Sequence, residues 1–239
     1  MREKTIDFSM PHKLIIRSLI YSCLKDESRS PKKELFSTSE RNITSHMRTA
    51  LEIVKDFYEP LLHFQVDTEY NRVGIGETAK KRLISEKRKV RVIPDIIIHK
   101  RGLLKKESED ANYLCIEINK IKNFDGNLNN IRNKKKKKRL NDDIEKLRCF
   151  RKDKNYGYTY GASIVISAPH TIFLKLNDKD YVKCSIKEVP LKVRARFIEL
   201  IDRVMFIIKN YYLSEKKTYR AKVRVYELEI DQIIASCLV

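Results

Sequence analysis

An α/β protein with a central mixed sheet flanked by helices is what this sequence predicts, and three observations carry the prediction. Two short runs, VRVIPDIII (90–98) and YLCIEI (113–118), are apolar on both faces, as strands at the centre of a covered sheet are. Helical periodicity flanks them, in Ile43, Met47, Leu51 and Val54 before and in Phe197, Ile201, Val204 and Ile208 after. The order helix, strands, helix, strands, helix is that of an α/β or α+β chain. With 239 residues, 42% of them apolar, the chain is long enough to bury a core.

Taken in order, Pro11 opens HKLIIRSLIYSCL, whose Leu14, Ile15, Leu19 and Cys23 recur at helical spacing. Residues 25–36 are charged and Ser-rich and read as a linker, so residues 1–36 form an N-terminal helix and linker ahead of a main domain over 37–239. STSE at 37–40 has capping-box spacing, with Ser37 accepting from a free N–H and Glu40 reaching back. A helix from about Glu40 to Tyr58 follows, stopped by Pro60. HFQVDTEYNRV (63–73) has the β-branched and aromatic content of a strand. The lysine run RNKKKKKR (132–139) reads as a solvated loop, and NDDIEKLRCF (141–150) as the start of a helix capped by Asn141 or Asp142. Strands are predicted near Ser163 to Ile166, His170 to Leu176 and Tyr181 to Lys187, then a long amphipathic helix from Pro190 through Leu213. The last 25 residues fit strand or helix.

Lysine plus arginine (51) exceed aspartate plus glutamate (32), giving a net charge of +19. Such an excess calls for a polyanionic partner, nucleic acid first and an anionic membrane surface second. The lysine run holds seven of these charges, and the remainder is spread along the chain. Arg72, Lys87, Arg88, Lys89, Lys134, Lys135 and Lys136 are the candidates for nucleic-acid contact. Tyr156, Tyr158 and Tyr160 alternate in NYGYTYG, as a base-stacking set or as packing at the start of a strand.

Other chemistries lack their signatures. The five cysteines include no CxxC pair, so neither a disulfide framework nor a zinc ribbon is suggested. The five histidines show no HxxxH spacing, and His99 reads as a surface residue, with phosphate contact as the alternative. No GxGxxG, GxxxxGK or GxSxG is present. Leu14 to Leu24 is too short to span a bilayer and is broken by Arg17, so the expectation is a cytoplasmic protein with no membrane partner.

Two carboxylates are out of place in this map. Asp95 and Glu117 interrupt runs that a sheet should bury, and an ionised carboxylate there needs a partner or a raised pKa. Pairing of the two strands as an antiparallel hairpin brings them side by side. A divalent cation would then hold both ionised, whereas nearby arginines such as Arg72 would make them structural ions.

Pro94-Asp95, followed some twenty residues on by an apolar strand ending Glu117-Ile118-Asn119-Lys120, resembles the PD-(D/E)XK phosphodiesterase superfamily with its restriction-endonuclease-like fold. Glu40, the EYNR segment (69–72) and Asp143-x-x-Lys146-Leu147 extend the likeness over about residues 37–166. The resemblance implies a metal-dependent nuclease acting on nucleic acid, with DNA the expected substrate. In it Asp95, Glu117 and the Ile118 carbonyl hold Mg²⁺ (or Mn²⁺), and Glu40 supports a second ion. A homodimer would permit double-strand cutting.

The expected lysine, however, is displaced. Side chains alternate along a strand, so Asn119, not Lys120, shares a face with Glu117. Three readings are open: the role has moved to Lys146, Asn119 orients the water, or the fold is a degenerate nuclease that binds nucleic acid without cutting. Lys120 would serve only if a bulge shifted the register. The i, i+3 spacing of Asp143 and Lys146 puts both on one helical face and favours Lys146. A basic protein unrelated to nucleases, with Asp95 and Glu117 salt-bridged, is the remaining alternative.

Overall fold

A computed structural model of the chain describes residues 10–24, 39–68, 94–100, 111–152, 157–167, 171–186, 189–210 and 216–238. Five helices and six strands follow one another: α1 (Met10–Leu24), α2 (Glu40–Val54), β1 (Gln65–Thr68), β2 (Ile96–His99), β3 (Asn112–Lys120), α3 (Lys134–Lys152), β4 (Tyr160–Ser167), β5 (Thr171–Leu176), β6 (Val182–Ser185), α4 (Leu191–Lys209) and α5 (Lys216–Cys237). The strands form one mixed sheet in sequence order, β1-β2-β3-β4-β5-β6. Only β3 and β4 run parallel, and α3 is the crossover that parallel strands require. The expected hairpin is present, with β2 and β3 antiparallel and Ile96 opposite Ile116.

The two faces of the sheet are covered unequally. Leu114, Ile116 and Ile118 of β3 join Ile96, Ile98, Ile164 and Leu174 in one large core with α1, α2, α4 and α5. Among the described residues the opposite face carries α3, and its apolar contacts fall into two separate clusters. Ile97, Cys115 and Tyr158 pack against Leu147 and Phe150, while Ile121, Val165 and Phe173 pack against Leu140 and Ile144. Between these clusters the α3 face of the sheet is polar.

Helix α1 shares the main core, where Leu14, Ile15, Leu19 and Ile20 are buried. Its Arg17 is buried as well, and donates to Asp231 of α5 through Nη2 at 2.7 Å and Nε at 3.1 Å. Arg17 also lies over the Tyr58 ring, 5.3 Å from its centre.

Gly161 fixes how closely α3 approaches the sheet. A Cβ there would lie 3.1 Å from Arg151 Cδ and 3.3 Å from Leu147 Cβ. Gly161→Ala is therefore expected to cost about 1 kcal/mol, an overpacking penalty partly offset by the stiffer unfolded chain. A denaturant midpoint that falls at constant m would bear this out, and an unchanged midpoint would show that α3 shifts at no cost.

Several sequence expectations need correction. The lysine run is helical: α3 starts at Lys134, not near Asn141, and Asn133 is its cap, accepting from the Lys136 N–H at 3.0 Å. Lysine is a good helix former, and Leu140 gives the new turns an apolar anchor. The cap of α2 is Ser39, which accepts from the Asn42 N–H at 3.2 Å, and Ser37 lies outside the described residues. Helix α2 ends at Val54 and passes into short 3₁₀ turns rather than reaching Tyr58. The C-terminal segment is helix. Arg72, Lys87, Arg88, Lys89, Tyr156, the EYNR segment and residues 25–36 lie outside the described residues. No described helix is long and apolar enough to cross a membrane.

Candidate active site

The polar gap beneath α3 gathers residues from three elements. Asp95 lies in a bend just before β2, not inside the strand. Pro94 has no N–H to give the ladder, and the Asp95 side chain continues it instead: Oδ2 accepts from the Ile118 N–H at 2.8 Å. Glu117, on β3, is 2% exposed and faces α3. Lys146 Nζ stands 2.6 Å from Glu117 Oε1 and 3.3 Å from Asp143 Oδ1. Apart from this ion pair, Glu117 Oε1 is buried without a well-directed hydrogen bond.

Asn119 shares the Glu117 face as alternation requires, and its Nδ2 donates to Asp143 Oδ2 at 3.1 Å. The pairing of β3 with β4 runs unbroken from Leu114 to Lys120, so no bulge turns the Lys120 side chain toward Glu117. Lys120 contributes its main chain instead. Its N–H donates to Glu40 Oε1 at 3.0 Å, and its carbonyl accepts from Lys136 Nζ at 3.3 Å. Glu40 Oε2 pairs with Arg139 Nη2 at 2.9 Å, and Arg139 Nε is 4.0 Å from Asp143 Oδ2. One network thus runs from α2 through β3 to α3.

Burial raises the Asp95 carboxyl above its ordinary value, opposed by the Ile118 N–H and the Lys146 charge. Glu117 lies well above its ordinary value, because burial is reinforced by the neighbouring Asp95 charge and only partly offset by Lys146. For Lys146 burial works against the charge, yet Glu117, Asp143 and Asp95 outweigh it and hold the ammonium protonated. Among the described residues no three His, Cys, Asp or Glu side chains converge as a ready metal cage.

The structure thus brings together Glu40, Asp95, Glu117, Ile118, Asn119, Lys136 and Lys146 and leaves the Lys120 side chain off the shared face. Lys134 and Lys135 are exposed on the first turn of α3. Arg139 and Asp143 belong to the site although neither stood among the sequence candidates. The i, i+3 spacing of Asp143 and Lys146 was readable on the expected helix, whereas the i, i+4 spacing of Arg139 and Asp143 is a signal the assumed loop concealed. Ser163, opposite Glu117 on β4, shares a hydrogen bond with the Tyr181 hydroxyl at 2.9 Å. His99 is not a surface residue: it is 2% exposed, with Nε2 2.9 Å from Asp67 Oδ2. Tyr158 is a packing residue, edge-on to Phe150 at 5.9 Å.

Comparison of the chain with protein-family models, with curated proteins and with solved structures gives no match.

Proposed function

We propose that the protein is a metal-dependent nuclease of restriction-endonuclease-like architecture that hydrolyses phosphodiester bonds of nucleic acid, with DNA as the first substrate to test. The observation that carries this reading is the 2.6 Å contact of Lys146 with Glu117, which supplies from α3 the lysine that β3 lacks. The β2–β3 hairpin, the α3 crossover and the parallel β4 support the same architecture.

The donor set fits a hard divalent cation. Asp95, Glu117 and the Ile118 carbonyl offer only oxygen, and Mg²⁺ needs just one or two carboxylates when water and phosphate complete its shell. These three groups would hold it. Bound there, Mg²⁺ (or Mn²⁺) supplies Lewis-acid polarisation of a phosphate oxygen.

The remaining work falls to the chain itself. Lys146, held protonated, donates hydrogen bonds to the attacking water or to the charge growing on the phosphate, and does not act as a base. Asn119 fixes the Asp143 carboxylate, which in turn aims Lys146. Arg139, anchored on Glu40 but 57% exposed, is free to swing to a phosphate oxygen.

The rival reading, a noncatalytic nucleic-acid-binding protein on the same fold, draws on one specific observation. The Glu117–Lys146 pair already neutralises the buried carboxylate without a metal. Cleavage of plasmid, single-stranded DNA and RNA with Mg²⁺, Mn²⁺ or EDTA separates the two. Metal-dependent products that vanish in Asp95→Ala are expected; binding without cleavage on every substrate would overturn the nuclease in favour of its rival.

A further inference from the structure

Beyond β3 the chain forms a second polar concavity that the proposed chemistry does not use. A cavity of about 520 Å³ lies between residues 121–125 and the segment leading into α3. Three cations line it, Lys122, Arg132 and Lys136, beside the half-buried Ile131, while Phe124 in its wall is buried edge-on against Phe173 and Tyr181. The single acid in its wall, Asp125, is turned into its own loop, accepting from the Asn127 N–H at 2.9 Å and from Asn130 Nδ2 at 2.7 Å. Among the described residues no carboxylate ion-pairs with Lys122 or Arg132, and both are exposed.

A second observation points the same way. Lys134 to Lys138 and Arg139 occupy the first turns of a 19-residue helix whose first turn has no acidic residue. Cations at that end oppose the helix dipole and repel one another. Of these Lys136 lines the cavity, so an anion held there would relieve part of that repulsion.

The geometry points to a nucleotide-binding subsite here, which takes a phosphate of a nucleic-acid strand at Lys122, Arg132 and Lys136 and rests its sugar against the half-buried Ile131. This rests on the nuclease reading and adds a fixed position for the strand. Lys136 links the two places, since its ammonium reaches the Lys120 carbonyl at 3.3 Å. From Glu117 to Ile121 the strand advances about 13 Å. A stacked nucleic-acid strand covers that span in about four nucleotides at roughly 3.4 Å each. The subsite therefore grips the substrate several nucleotides to one side of the reacting phosphate.

The test is equilibrium binding of a fluorescent single-stranded DNA oligonucleotide to the full chain in EDTA, titrated at several salt concentrations. Lys122→Ala/Arg132→Ala is compared with Lys138→Ala/Lys152→Ala, which removes the same charge from exposed positions of α3 outside the cavity. The cavity pair is expected to lower affinity about tenfold and to reduce the log–log salt slope by about 1.4, and the control pair to lower affinity by less than about threefold. Equal losses in the two variants, or no binding by the wild type, would overturn the subsite. Cleavage is read separately, so a wild type that binds through the cavity but cuts nothing overturns the nuclease and leaves the subsite standing.

Discussion

Lys146→Ala is expected to lower stability by about 3 kcal/mol at pH 8 and to cut metal-dependent cleavage by about 10²-fold or more. The ammonium is 2.6 Å from a carboxylate that is itself 2% exposed, and 3.3 Å from a second. Removing it leaves Glu117, Asp143 and Asp95 without the ammonium that stands among them, which breaks a buried pair from one side only. The loss should shrink near pH 5, where Glu117 takes up a proton instead. Urea unfolding in EDTA at the two pH values measures this, with cleavage followed separately. A variant as stable as the wild type at pH 8 would show that Lys146 does not compensate the buried charge.

Glu117→Gln is expected to do the opposite to stability while removing activity. Burial and the Asp95 charge hold the folded carboxyl well above its ordinary 4.5, so the native state binds the extra proton between those values. The stability this proton contributes is fully present below the unfolded value and is lost as pH rises toward the folded one. Glutamine keeps the shape without the charge. In EDTA the variant should match the wild type near pH 4 and exceed it by more than about 1 kcal/mol at pH 8, with cleavage abolished. Lower stability of the variant at pH 8 would mean that the Glu117–Lys146 pair is net favourable and that the site holds no stored cost. The two substitutions together describe a site held at the expense of the fold, as functional constellations commonly are.

What the sequence disclosed and what it concealed divide along physical lines. The β2–β3 hairpin and the nearness of Asp95 to Glu117 were legible because two apolar runs leave a carboxylate no ordinary reason to interrupt them. Alternation along β3 assigned Asn119 to the Glu117 face, and helical spacing assigned Lys146 to Asp143; both are local rules. The lysine run was opaque because residues 134–139 carry no apolar periodicity. Its helix is held by Asn133 at the cap, Leu140 beneath and Glu40 across on α2. His99 misled for a similar reason, since its partner Asp67 is 32 residues earlier and meets it only through the pairing of β1 with β2.

The Arg17–Asp231 contact joins residues 214 apart in the chain, and it bears on when the protein can fold as well as on how tightly it holds. At a synthesis rate of about 5–20 residues per second, α1 waits roughly ten to forty seconds for the helix that neutralises its buried guanidinium. By the end of that interval the nascent chain carries Glu40, Asp95, Glu117 and Lys146, but the helical layer on the far side of the sheet is unfinished until α5 is made. The residues of the candidate site are thus synthesised before the helix that completes the main core, so the emerging polypeptide carries the apolar back of its sheet partly uncovered until then.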